Sequence, residues 1–266
     1  MSSTPQSTAR LVAAAATCAA LYAIVNIISS PIRTPWGVGE FRPGVVIPAF
    51  YALIFGPLPA ALGAGIGSFV GDMVSLVPSG GSTPLVALIA GGIGNFVGFL
   101  VLGWVYQKIK GWRGFIAGTT SGLFAGNLWA AAGVVFLLHL PPILILGLLL
   151  FWFGTMFPFV VFLVPPLLRI MKPYSSKISS STYPTLVEPN RKVLWAWTIA
   201  VSVLVLAGTG VVIGVQTSLI QDLSRGQVFW IEVLLVVSAV SVLIVGAFIP
   251  GAKQEQQIPV VSKGSQ

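Results

Sequence analysis

The sequence predicts an all-α, polytopic membrane protein: a bundle of six helices followed by two more transmembrane helices. Three observations lead there. Of 266 residues, 56% are hydrophobic and only 8% are charged, against about 25% charged in a soluble domain. Mean hydropathy is +0.95. The apolar residues fall into long runs separated by short polar or Gly/Pro breaks, and each run is long enough to cross or enter a bilayer with lipid as its solvent.

On a template of about 20 apolar residues per span, eight segments emerge, at 9–29, 43–55, 57–77, 84–107, 114–138, 141–169, 193–214 and 228–249. The first follows Arg10. It is too long for the apolar core of a secretory leader, and the I-I-S-S-P-I-R after it offers no small-x-small cleavage site, so it reads as a mature helix. The second is short for a span and ends at a Gly56-Pro57 break. The loop 173–192 is rich in Ser and Pro and reads as a cytoplasmic linker. It divides a six-helix domain, 1–172, from a two-helix extension, 193–252, with Glu232 among its few polar groups. The tail 253–266 reads as disordered and cytoplasmic.

Basic residues set the expected orientation. With the N-terminus in the cytoplasm, only Arg33, Arg42 and Arg225 of the 14 Lys and Arg lie outside. Both termini are then cytoplasmic. The net charge of +8 belongs to these helix flanks, and the sequence offers no basic, aromatic-laced face for nucleic acid.

Glu40, Arg42 and Asp72 fall near the outer side in this topology. Ionisable groups at membrane depth face a bundle interior or a wet cavity, so Arg42 and Asp72 form either a structural ion pair or part of a ligand pocket. Asn95 and Asn127 stand on glycine-rich apolar helices where lipid cannot satisfy their amides. They point inward, as interhelical glue or as ligand partners. Trp36, Phe41, Trp129 and Trp152 are candidate stacking surfaces for a flat ring, with Trp36 equally readable as an interfacial belt residue. Small residues recur every fourth position at Ala15, Ala19 and Ala23, at Gly63, Gly67 and Gly71, and at Gly118, Gly122 and Gly126. Such stripes let helix backbones approach closely, and packing within the bundle is the first reading of all three.

No phosphate-binding G-x-x-x-x-G-K-[ST] loop, H-E-x-x-H or G-x-S-x-G is present, and a single histidine (His139) and a single cysteine (Cys18) exclude a triad or a metal cluster built from them. No cofactor or metal is expected.

The run R-P-G-V-V-I-P-A-F-Y-A-L-I-F-G-P-L-P-A-A-L-G-A-G-I-G-S-F-V-G-D, with its F-G-P turn and Gly/Ala-striped helix, resembles the substrate-binding S components of energy-coupling factor (ECF) transporters. The six-helix body and the Ala15-x-x-x-Ala19 stripe match that family too. The resemblance implies an ATP-driven importer's binding subunit, not an enzyme, that takes a vitamin or similar micronutrient at its outer side. Its implied partners are a membrane coupling subunit and two cytoplasmic ATPase subunits. It implies docking of the coupling subunit at Ala15 and Ala19, and a gating loop at about residues 30–43. The residues singled out above, Trp36, Glu40, Arg42, Asp72, Asn95, Asn127 and Trp129, are then the candidate substrate-binding site. G-E-F-R-P resembles a branch proposed to take up queuosine precursors, and flavin-type members are the other candidate. The rival reading is a membrane scaffold whose polar residues only pack helices, which predicts no enclosed outward cavity. A lipid-modifying enzyme lacks the carboxylate or histidine pairs such chemistry needs.

Overall fold

The computed structural model describes residues 8–79, 83–174, 186 and 191–216. Within them the chain is helical, with one isolated antiparallel bridge, Arg33 to Glu40, as the sole extended pairing described. The helices are α1 (Thr8–Ser29), α2 (Val46–Ile54), α3 (Pro57–Ser79), α4 (Pro84–Ile109), α5 (Gly111–Leu137), α6 (Ile143–Met171) and α7 (Arg191–Gln216). Five of them, α1 and α3 to α6, are long and apolar enough to cross a membrane. These findings bear out the all-α polytopic class. The eighth predicted segment, Glu232, the tail and almost all of the linker lie outside the described residues.

Helix ends follow local chemistry. α1 stops before Pro31, with the Ser30 hydroxyl donating back to the Ile27 carbonyl at 2.9 Å. α2 is preceded by a 3₁₀ turn at Pro43–Val45 and closed by Gly56, whose φ of +94° a side chain would strain. Nine residues at 1.5 Å each make α2 only about 14 Å long, less than half a bilayer core. The α3 helix begins at Pro57, where its missing N–H costs nothing.

Helices α1, α3, α4, α5, α6 and α7 pack in that order, each against the next, while α2 touches α1, α3, α4 and α6. Small residues set the closest approaches. A Cβ on Gly67 would stand 2.6 Å from the Ala19 carbonyl oxygen, and one on Gly122 would stand 2.6 Å from that of Gly98. The three small-residue stripes are therefore consumed inside the bundle. Large apolar side chains such as Val12, Ile28, Ile66, Trp104, Phe136 and Ile170 cover its outside, as a lipid-facing surface requires.

The charged residues separate along the bundle axis. Arg10, Lys108, Lys110, Arg113, Arg169 and Lys172 lie at the end where α1 and α5 start and α4 and α6 finish. Arg33, Glu40 and Arg42 lie on the loop at the opposite end.

Gly122→Leu should abolish the α4–α5 contact and lower the melting temperature in detergent by many degrees, whereas Gly210→Ala on α7, with nothing within 4 Å of the added carbon, should leave it unchanged. Thermal unfolding of the two purified variants checks both.

Candidate functional site

Because α2 is short, it fills only the half of the bundle away from the 30–42 loop. The space above its N-terminus is a cavity of about 250 Å³, just under the roughly 300–1,000 Å³ usual for small-molecule sites. Its walls come from the loop (Arg33, Gly37 to Glu40, Arg42), α3 (Asp72, Ser75), α4 (Ala90, Gly91, Asn95), α5 (Asn127, Ala130, Val134) and α6 (Trp152, Met156). Counting along each helix from the opposite end of the bundle, Asp72, Asn95 and Asn127 sit about 21–24 Å up, in one layer.

The layer is tied together by one network. The Arg42 guanidinium pairs with the Asp72 carboxylate at 2.5 Å and donates to Ser68 Oγ at 2.6 Å. Asn95 donates to Ser68 Oγ at 3.1 Å and to the Gly91 carbonyl at 2.8 Å, and accepts from the Tyr22 hydroxyl at 2.9 Å. Arg42 and Asp72 are 11% and 7% exposed, so each is the other's main compensation for leaving water.

The loop is held down onto the cavity. Thr34 N–H donates to the Gly39 carbonyl and Phe41 N–H to the Ile32 carbonyl, forming a tight reversal with Gly37 at φ +73° and Gly39 at φ +77°. The Trp152 indole N–H donates to the Glu40 carbonyl at 3.0 Å. The same indole lies where a side chain on Gly39 would go, so residue 39 must be glycine for two reasons. The Glu40 carboxyl lines the cavity, and burial raises its pKa above the ordinary 4.5 against the opposing pull of Arg42.

The two asparagines differ. Every polar atom of Asn95 is taken by the protein, whereas the Asn127 amide nitrogen is buried with no partner, as is the Ser75 hydroxyl. Both line the cavity. The wall of α4 here is a π-helical stretch, Ala87–Ile93, a geometry that recurs at functional sites.

Glu40, Arg42, Asp72, Asn95 and Asn127 are thus brought together. Three of the four expected aromatics are not, and only Trp152 lines the cavity. Trp129 is 46% exposed on the outside of α5, its indole N–H donating to the Ile89 carbonyl at 3.0 Å. Two residues of helix separate it from Asn127, a rotation of about 200°, so both cannot face inward. Trp36 packs edge-on against Phe151 and does not line the cavity, and Phe41 packs against Phe159. Ala15 and Ala19 are buried against the Gly63–Gly67 stretch of α3. The alanines that α1 leaves outward are Ala9, Ala13, Ala16 and Ala20. Ser68, Ser75 and Tyr22 were not expected. Ser68-x-x-x-Asp72-x-x-Ser75 carried a signal, since i+4 and i+7 share a helical face.

A helical membrane bundle with a polar, loop-covered cavity at one end is the architecture of a solute-binding membrane subunit. The family model described as "ECF-type riboflavin transporter, S component" matches residues 6–145, and the chain belongs to that family. It is accordingly a multi-pass membrane protein and a substrate-binding transporter subunit. No curated protein and no solved structure matches it. The family match ends in the first turn of α6, yet α6 supplies Trp152 and Met156, beyond the matched residues, to the cavity.

Arg42→Met alone should destabilise the protein by about 3–5 kcal/mol, because it strands the Asp72 carboxylate. Arg42→Met combined with Asp72→Leu should recover most of that loss, as measured by denaturation of the detergent-solubilised proteins.

Proposed function

We propose that the chain is the substrate-binding subunit of an ECF-type, ATP-driven importer that captures a vitamin-like micronutrient, a flavin in the first instance, in the cavity beneath the 30–42 loop. One observation carries this reading. The Asn127 amide and the Ser75 hydroxyl are buried, unpartnered and on the wall of a cavity whose Arg42, Asp72 and Asn95 groups are already paired. Buried polar groups without partners are costly, and a bound polar heterocycle would supply what they lack. The family's description supports a flavin over a queuosine precursor.

The basic residues at the far end of the bundle support a cytoplasmic N-terminus, which puts the cavity at the outer side. The chain then works with a membrane coupling subunit and two ATPase subunits. Since Ala15 and Ala19 are spent on α3, Ala16 and Ala20, an i, i+4 pair among the small residues that α1 leaves outward, are the pair assigned to the coupling subunit. Residues 1–172 form the binding unit in this reading, and α7 is a buttress on α6, with Trp195 stacked on Phe162 at 4.2 Å and Val205 seated over Gly154.

The scaffold alternative draws on the closed Arg42–Asp72–Ser68–Asn95 network, which needs no ligand. It has no use for the cavity or for Asn127.

Purified full-length protein should quench riboflavin fluorescence with a dissociation constant of roughly nanomolar to micromolar size in the absence of ATP. Asn127→Leu should weaken that binding roughly tenfold. Ala16→Leu with Ala20→Leu should spare binding and stop uptake by cells expressing the whole transporter. Binding of neither riboflavin nor 7-cyano-7-deazaguanine would favour the scaffold.

A further inference from the structure

We propose that Trp129, on the lipid-facing side of α5, is a positioning residue for ligand binding: its indole N–H holds the π-helical turn of α4 that brings α4's share of the cavity wall into line. The inference rests on the reading of this cavity as the substrate site and adds to it a residue that does not line the cavity.

Helix α4 gives the cavity Val86, Ala90, Gly91 and Asn95. A regular α-helix could not present all four to one side. At about 100° per residue, Val86 and Asn95, nine positions apart, would point in opposite directions, with Ala90 close to Val86 and Gly91 close to Asn95. The stretch Ala87–Ile93 is π-helical, and its wider i→i+5 turn takes up about one extra residue. With that residue absorbed, Val86 and Asn95 come to within about 80° of each other. A straight helix would turn one pair out of the cavity, or take Asn95 away from Tyr22 and Ser68.

A widened turn does not hold itself. Where the ladder changes from i→i+4 to i→i+5 and back, a carbonyl is left without its usual N–H. Leu85, Leu88 and Ile93 are exposed along the outer side of this stretch, so its surroundings there are hydrocarbon, which offers a carbonyl no donor. The Trp129 indole N–H donates to the Ile89 carbonyl at 3.0 Å. On the inner side Asn95 Nδ2 donates to the Gly91 carbonyl at 2.8 Å, and the Asp72 carboxylate fills the place of a side chain on Gly91. The turn is held from both sides, and Trp129 is the support that stands away from the ligand.

Four purified proteins test this: the natural chain, Trp129→Phe, a deletion of Leu88, and the deletion combined with Trp129→Phe. Without Leu88, a lipid-facing residue of the π turn, Val86 and Asn95 are eight positions apart, so a regular α-helix keeps their phase and serves the Ile89 carbonyl with the Ile93 N–H. Trp129→Phe should weaken riboflavin binding roughly fivefold or more in the natural chain and less than about twofold in the deletion background. Equal losses in both backgrounds would mean that Trp129 acts by packing alone and would overturn the inference, as would no loss in either. A second readout needs no ligand. Ala90→Cys with Gly133→Cys places two thiols where a Cβ on Gly133 stands 3.2 Å from that of Ala90, close to disulfide geometry. Trp129→Phe should cut the disulfide yield under mild oxidation about threefold or more, and an unchanged yield would overturn the inference. If the deletion variant does not fold, or if riboflavin binds none of the proteins, the disulfide yield decides by itself; the latter result also sinks the flavin assignment, on which the cross-linking does not depend.

Discussion

The Arg42–Asp72 pair is the contact on which the rest of this architecture turns. A guanidinium at membrane depth is tolerated only where a partner meets it, and here the partner stands on α3, about four turns from the Pro57 break. Pinning Arg42 there fixes where α2 begins. With Pro43 ahead of it and Gly56-Pro57 behind it, α2 has room for nine residues, and the upper half of the bundle is left unfilled. The chain between Ser29 and Pro43 must then lie across that space, where the Trp152 indole and Gly39 hold it down. A short helix, a buried ion pair and a covered cavity are one arrangement viewed from three sides.

Close backbone approach does the remaining structural work. With lipid outside and apolar side chains inside, there is little hydrophobic drive between helices, and contact depends on small residues and on hydrogen bonds. Gly67 against Ala19 and Gly122 against Gly98 supply the first. Asn95 supplies the second by joining α4 to α1 through Tyr22 and to α3 through Ser68. The π-helical stretch of α4 is accommodated in the same way. Trp129 caps its Ile89 carbonyl from α5, and Asp72 lies where a side chain on Gly91 would be. A residue that looked like a ligand aromatic is a clamp on a distorted helix.

Much of the fold could be read in advance because its signals are local. Apolar runs, the Gly56-Pro57 break and the Lys/Arg flanks lie within a few residues of the features they specify. The predicted second segment at 43–55 matches a 3₁₀ turn followed by α2 almost residue for residue. The site was legible in part. Arg42, Asp72, Asn95 and Asn127 stood out because lipid cannot satisfy them, and all four meet in one layer. Ser68 and Ser75 were hidden by their ordinariness, and Trp129 misled because residue type was weighed without helical phase.

Sequence alone determined that this protein lives in a bilayer, where its helices start and stop, and which side chains must find polar company. Only the tertiary structure decided which company each one keeps. Asn95 and Asn127 have the same chemistry and similar glycine-rich surroundings along the chain, yet one is saturated by Tyr22, Ser68 and Gly91 while the other lines the cavity with its buried amide nitrogen unpartnered. The reason is physical: satisfaction of a buried amide depends on atoms supplied by other helices, tens of residues away, and nothing in the local sequence records which of them arrive.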